Sequence, residues 1–100
     1  MNTDEQAEVV RRLHSAAGHL NAVIQMADDG QGCEEVLHQL NAVEGAIHTA
    51  ALRLLMCHLR ESEATILASR SPARRVVELH RLQSLYSMMH IPNQDTEVTK

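Results

Sequence analysis

The sequence predicts an all-α fold of three helices, and three observations indicate it. Of the 100 residues 44% are apolar, yet Tyr86 is the single aromatic residue. A core of aliphatic side chains and methionine suits helix-on-helix packing better than a sheet sandwich. Apolar residues recur at helical spacing in three segments that glycine, serine and proline separate. Long helices in so small a chain bury little surface alone, so a second copy is expected to complete the core.

The first predicted helix covers roughly residues 4 to 28. Its apolar positions follow the i, i+3, i+4, i+7 rule and are Val9, Val10, Leu13, Ala16, Ala17, Leu20, Val23, Ile24 and Ala27. The segment from Asp28 to Gly32 then consists of turn-forming residues. The sequence therefore predicts a tight helical hairpin.

The second predicted helix starts near Cys33 and continues to about Ala68. Glu34 and Glu35 in its first turn favour the positive end of the helix dipole. Its predicted inner stripe is Val36, Leu37, Leu40, Val43, Ile47, Ala50, Ala51, Leu54, Leu55 and His58. Small residues at its middle allow another backbone to approach, namely Ala42, Gly45, Ala46 and Ala50. We expect a second copy to cross there.

The third predicted helix begins with Ser71 as its cap and Pro72 in its first turn, and it runs to about Met89. Core packing is expected for its apolar residues, which are Val76, Val77, Leu79, Leu82, Leu85, Tyr86, Met88 and Met89. Residues 91–100 are mostly polar and are predicted to be a disordered tail. Residues 1–90 are predicted to form one domain.

Composition limits the classes of function. The formal charge is −4, which disfavours non-specific nucleic-acid binding, although eight of the nine basic residues are arginines suited to phosphate. No segment resembles a signal peptide or a membrane span, so a cytoplasmic protein with reduced cysteines is expected. The sequence has no glycine-rich phosphate loop, HExxH, CxxC or nucleophile elbow, and no enzymatic activity is predicted.

Cys33 and His58 lie 25 residues apart on one predicted helix. That spacing places them about 20° apart around the helix axis but about 37 Å apart along it. They can meet only if two copies pack antiparallel with their crossing near Gly45 and Ala46. A thiol and an imidazole at such a seam could bind a metal or sense a reactive molecule. The alternative is that Cys33 and His58 are buried as ordinary core residues. Cys57 points about 100° away from its neighbour His58, which makes it a weaker ligand candidate.

Three stretches of residues 8–63 resemble the CsoR/RcnR/FrmR family of small all-helical bacterial repressors. They are RRLHSAAGHLNAV at 11–23, GCEEVLHQLNAVEGAI at 32–47 and LLMCHLRES at 54–62. The resemblance implies an antiparallel four-helix-bundle dimer of three-helix chains, assembled further as a dimer of dimers. It also implies a repressor that leaves its operator DNA when an inducer binds across the dimer seam.

The resemblance assigns the sensor positions. Cys33 matches the sensing cysteine of the family, and His58 matches the histidine that pairs with it. The next sensor position is Ser62, where copper-sensing relatives usually carry cysteine and nickel- or cobalt-sensing relatives histidine. The identity of the inducer therefore stays open among copper, nickel, cobalt, zinc and formaldehyde. Relatives that sense formaldehyde also tend to lack a soft ligand at this position. Cys57 is kept as a possible additional sensor position.

On the DNA side, Arg12 matches a basic residue that the family carries on its first helix, and Arg11 adjoins it. Arg53 is the nearest substitute for a basic residue that Thr49 replaces on the second helix. Glu44 stands where some relatives carry arginine, and an acidic residue opposes phosphate binding. Two alternatives to a repressor follow: a metal-handling or interaction protein that has lost DNA binding, and a helical oligomer without a small-molecule site.

Overall fold

The computed structural model describes residues 1–89 and contains three helices: α1 (Thr3–Asp28), α2 (Cys33–Ala68) and α3 (Pro72–Met88). No strand occurs among these residues, and the predicted all-α class is confirmed. Each helix begins and ends within one residue of the predicted positions. The predicted disordered tail lies outside the described residues, and the single domain over 1–90 stays a prediction.

Local capping explains the helix ends. Asn2 caps α1, because its side chain accepts a hydrogen bond from Glu5 N at 2.8 Å while the Glu5 carboxylate accepts one from Asn2 N. After α1, Gly30 has a φ of 77°, a left-handed conformation that glycine adopts without strain. Ser71 caps α3 by accepting a hydrogen bond from Arg74 N at 3.3 Å.

The chain divides into two compact units, Met1–Cys57 and a second unit that begins at His58. In the first unit α1 and α2 form an antiparallel hairpin. His19 Nε2 and Gln39 Oε1 lie 2.8 Å apart in one hydrogen bond between the helices, and Cys57 bonds to Glu5 in another. The buried apolar residues recur at every seventh position and are Val9, Ala16 and Val23 on α1 and Val43, Ala50 and Cys57 on α2. A seven-residue interval is typical of the narrow seam between two packed helices.

The predicted inner stripe of α2 is too wide. Among its members only Val43 and Ala50 are buried, whereas Leu37 and Ile47 are 55% and 47% exposed. Ala50, expected at the crossing with a second copy, is buried in the hairpin instead. A helix with one neighbour has only a narrow strip covered, which explains the difference.

The prediction of core packing for the apolar residues of α3 is wrong for the single chain. None of the residues of α3 is buried. The most exposed of its large apolar side chains are Val76, Val77, Leu79, Tyr86 and Met88. Within the described residues, no helix is both long and apolar enough to cross a membrane.

Candidate functional site

Cys33 is the first residue of α2, and its thiol is free and exposed. The chain reaches it from α1 through the turn at Gly30. The first helical turn closes around it, because Val36 N donates a hydrogen bond to Gly32 O at 3.1 Å. The thiol is therefore held at a fixed helix end and is accessible to a group outside the chain.

His58 lies on α2 with 30% of its side chain exposed. Its Nδ1 is 4.0 Å from Oε1 of Glu61, which is too far for a hydrogen bond. Its Nε2 is buried and has no hydrogen-bond partner in the structure. Leaving such an atom unsatisfied costs about 1–3 kcal/mol. A metal ion, or a hydrogen-bond donor or acceptor from another molecule, would relieve that cost, so the imidazole fits a ligand role.

One chain does not assemble a complete metal site. Within residues 1–89, no group of three or more His, Cys, Asp or Glu side chains is placed to hold a metal ion. Cys33 belongs to the first compact unit and His58 to the second. The predicted Cys33–His58 site therefore stays a prediction, one that needs a residue from a second copy.

Ser62, the next predicted sensor position, is 1% exposed. Its hydroxyl donates a 2.7 Å hydrogen bond to Oε2 of Glu78 on α3. Sequence reasoning missed Glu78. The signal was present, since Glu78 is the single acidic residue of α3 and follows two valines in an otherwise apolar stripe. A partly buried carboxylate is thus close to the predicted sensor face of α2, defined here as His58 and Ser62, which lie one turn apart.

Cys57 takes a different place from the other predicted sensor residues. It is 5% exposed, and its Sγ donates a 3.0 Å hydrogen bond to Oε2 of Glu5 on α1. Glu5 belongs to the capping box of α1, so this thiol ties the start of α1 to α2. A role for Cys57 in sensing stays a prediction.

The predicted DNA-contacting arginines differ in their partners. Arg11 Nη2 lies 2.7 Å and Arg12 Nε 3.0 Å from Oε2 of the same residue, Glu8. The hydrogen bond from Arg11 is the largest cause that holds the pKa of Glu8 below its ordinary value, and Glu8 in turn raises the pKa of Arg11. Arg53 is exposed on α2. Glu8 was not singled out from the sequence, although its i+3 and i+4 spacing to two arginines is visible there.

Comparison with known proteins shows what the chain is similar to. The family model described as a metal-sensitive transcriptional repressor matches residues 5–88. The copper-sensing transcriptional repressor CsoR of Mycobacterium ulcerans is 33% identical over 72 residues, which cover 71% of this chain and 62% of that protein. RicR of Mycobacterium tuberculosis, also a copper-sensing repressor, is 29% identical over 70% of this chain and 73% of its own length. CsoR of Bacillus subtilis is 26% identical over 78% of this chain and 77% of its own length.

No solved structure matches the chain significantly. The family match nevertheless includes nearly all of α1 and the whole of α2 and α3. Members of this family are transcriptional repressors and not enzymes, in agreement with the motifs missing from the sequence. The chain therefore belongs to the family of metal-sensitive transcriptional repressors.

Proposed function

We propose that this protein is a DNA-binding repressor that leaves its operator when an inducer binds between Cys33 of one copy and His58 of another. The observation that carries the proposal is the buried His58 Nε2 without a partner, at a position that the sequence predicts to be a sensor position. The exposed Cys33 thiol supplies the second ligand. When bound, a transition-metal ion would link two copies and so favour one arrangement of the dimer over another.

An exposed apolar stripe on α2 supports an antiparallel partner. Its members are spaced by three and seven residues and are 38–55% exposed: Leu37, Leu40, Ile47 and Leu54. The stripe lies between Cys33 and His58 in the sequence. A second α2 that runs in the opposite direction would cover it and bring unlike sensor residues together.

Arg11, Arg12 and Arg53 are the proposed phosphate contacts. Guanidinium groups suit phosphate because they donate in a planar fork. Glu8 holds Arg11 and Arg12 in the free chain, so DNA must compete with this carboxylate. Because arginines that bind phosphates displace counterions from the DNA, we expect salt to weaken operator binding.

The test is fluorescence anisotropy with DNA from upstream of the protein's own gene, repeated with zinc, nickel, cobalt, copper(I) or formaldehyde. We expect binding that one of these inducers reverses. Cys33→Ala and His58→Ala should bind the DNA as the wild type does but should no longer release it. His80→Ala, at an exposed histidine on α3, is the matched control. Release that persists in Cys33→Ala, or no release by any inducer, would contradict the proposal.

A protein that handles metal without binding DNA is the second candidate. The pairing of Arg11 and Arg12 with Glu8, which offsets one of their two positive charges, favours it, as do the exposed Glu44 and the formal charge of −4. It predicts metal binding that depends on Cys33, with no anisotropy change on any upstream DNA at low salt. The same titrations therefore separate the two candidates.

A further inference from the structure

Ser62, at the predicted sensor position that lacks a strong ligand, forms a hydrogen bond with Glu78. Ser62 is almost completely buried, and its hydroxyl is 2.7 Å from Oε2 of Glu78. The Glu78 side chain is only 13% exposed. Its other oxygen, Oε1, lies 3.9 Å from Arg81 Nη1, whose side chain is 63% exposed. This carboxylate is thus withdrawn from water with one close neutral donor and one distant cation.

A carboxylate in that position has acceptor capacity left over. Its two oxygens offer about four lone-pair directions, and the contact with Ser62 uses one of them. Burying a charged group is costly unless it is paired or coordinates a metal. The 3.9 Å separation from an exposed guanidinium is a weak compensation. Glu78 is therefore suited to accept a cation.

The geometry of α2 places this carboxylate beside His58. His58 and Ser62 are four residues apart on one helix, so they share a face. Because Ser62 touches Glu78, the carboxylate lies next to the face that also carries the unpartnered Nε2 of His58. A nitrogen without a donor or acceptor partner and an under-satisfied carboxylate at one face fit a metal ion.

We propose that Glu78 is the third metal ligand of this protein, in the place that Ser62 leaves without a strong donor. The inference rests on the proposed function, which supplies His58 and the Cys33 of a second copy as the other two ligands. Ser62 then orients the carboxylate through its hydroxyl. Each chain contributes His58 and Glu78 to one site, in accord with the finding that residues 1–89 of a single chain hold no set of three ligands.

The ligand set determines the class of metal. A thiolate, an imidazole and a carboxylate are all common zinc ligands, and cobalt and nickel accept the same donors. Copper(I) selects soft sulfur donors, of which this set has one. The site is therefore specific for a divalent ion of the zinc, cobalt and nickel group over copper(I). In this it differs from the copper-sensing relatives with which the chain was compared.

The test measures metal affinity directly on the full-length protein. Co²⁺ serves as the visible probe, Zn²⁺ is measured by displacement of Co²⁺, and copper(I) by competition with a chelator. Glu78→Gln should weaken Zn²⁺ and Co²⁺ binding at least about tenfold and change the cobalt spectrum, while copper(I) affinity changes less than about threefold. Glu63→Gln makes the same charge change at an exposed position on α2 and should match the wild type.

The comparison of zinc affinity with copper(I) affinity distinguishes a metal ligand from a residue that only positions His58. A positioning role would weaken zinc and copper(I) together, and that outcome overturns the proposal. Unchanged zinc affinity in Glu78→Gln overturns it as well. Infrared difference spectra of the wild type need no variant: zinc should shift a carboxylate stretching band, and the lack of any shift contradicts the proposal.

The two proposals fail in different ways. If metal releases the wild type from DNA and Glu78→Gln retains the wild-type zinc affinity, only the assignment of Glu78 is wrong. If Cys33→Ala still binds metal like the wild type, or neither a metal ion nor formaldehyde affects DNA binding, the proposed sensor function itself fails. Circular dichroism on each variant checks that the helices are intact.

Discussion

At the scale of single residues, Glu8 offsets part of the positive charge of Arg11 and Arg12, the proposed DNA contacts on α1. It pairs with Arg11 three residues later and Arg12 four residues later, both within 3.0 Å. The hydrogen bond from Arg11 lowers the pKa of Glu8 below its ordinary value, because it stabilises the charged carboxylate. Two arginines and one glutamate leave a net charge of +1 on this part of the helix.

Glu8→Gln should therefore bind operator DNA more tightly than the wild type. Removal of one negative charge close to the phosphates raises the affinity roughly fivefold at low salt, and freed arginines make the salt dependence steeper. Anisotropy titrations over a range of salt concentrations measure both effects. Glu63→Gln carries the same charge change away from α1 and serves as the control. Equal affinities for both variants and the wild type would show that Arg11 and Arg12 do not contact DNA.

At the scale of the helices, α1 and α2 of the hairpin each bury a single row of side chains, one residue in every seven. Val9 is 4% exposed, whereas its neighbour Val10 is 44% exposed. Two successive residues of one helix point about 100° apart, so the seam covers the first and not the second. The pair allows burial to be compared at almost the same place in the chain.

Val9→Ala should destabilise the protein by about 1.5–3 kcal/mol, because two buried methyl groups are lost and a cavity remains. Val10→Ala should change the free energy of unfolding by less than about 0.5 kcal/mol. Urea unfolding followed by circular dichroism measures both. Equal losses in the two variants would mean that Val10 is covered by another copy, and that the seam seen in the single chain is incomplete.

The helix ends were predictable from the sequence, but the contacts between helices were not. Gly30 and the Ser71–Pro72 pair are local signals: α1 ends two residues before Gly30, and α3 begins at Pro72. The pairing of Ser62 with Glu78 depends instead on the rotation of α3 about its own axis, which no local signal fixes. The hydrogen bond between Cys57 and Glu5 likewise depends on how α1 and α2 pack, because the two residues are 52 positions apart in the sequence. The apolar period identified the helices correctly but overestimated how much of each is covered within one chain.

At the scale of the whole molecule, much apolar surface is left uncovered by a single chain. The large exposed side chains of α2 that form one stripe are Leu37, Leu40, Ile47 and Leu54. Contiguous apolar patches of this kind mark interaction surfaces. The proposed sensor site requires the partner to be a second copy, because Cys33 and His58 of one helix are too far apart along its axis.

Ile47→Lys should separate the proposed dimer. A lysine in the middle of the stripe would be buried without a counter-ion, which weakens association at least roughly a hundredfold. Thr49→Lys is the control: its position is about 200° further round α2, and the Thr49 hydroxyl turns back to Gly45 O at 2.9 Å. Sedimentation equilibrium gives the mass of each variant. If Ile47→Lys sediments with the wild-type mass, the partner does not cover this stripe, and the site between Cys33 and His58 cannot form as proposed.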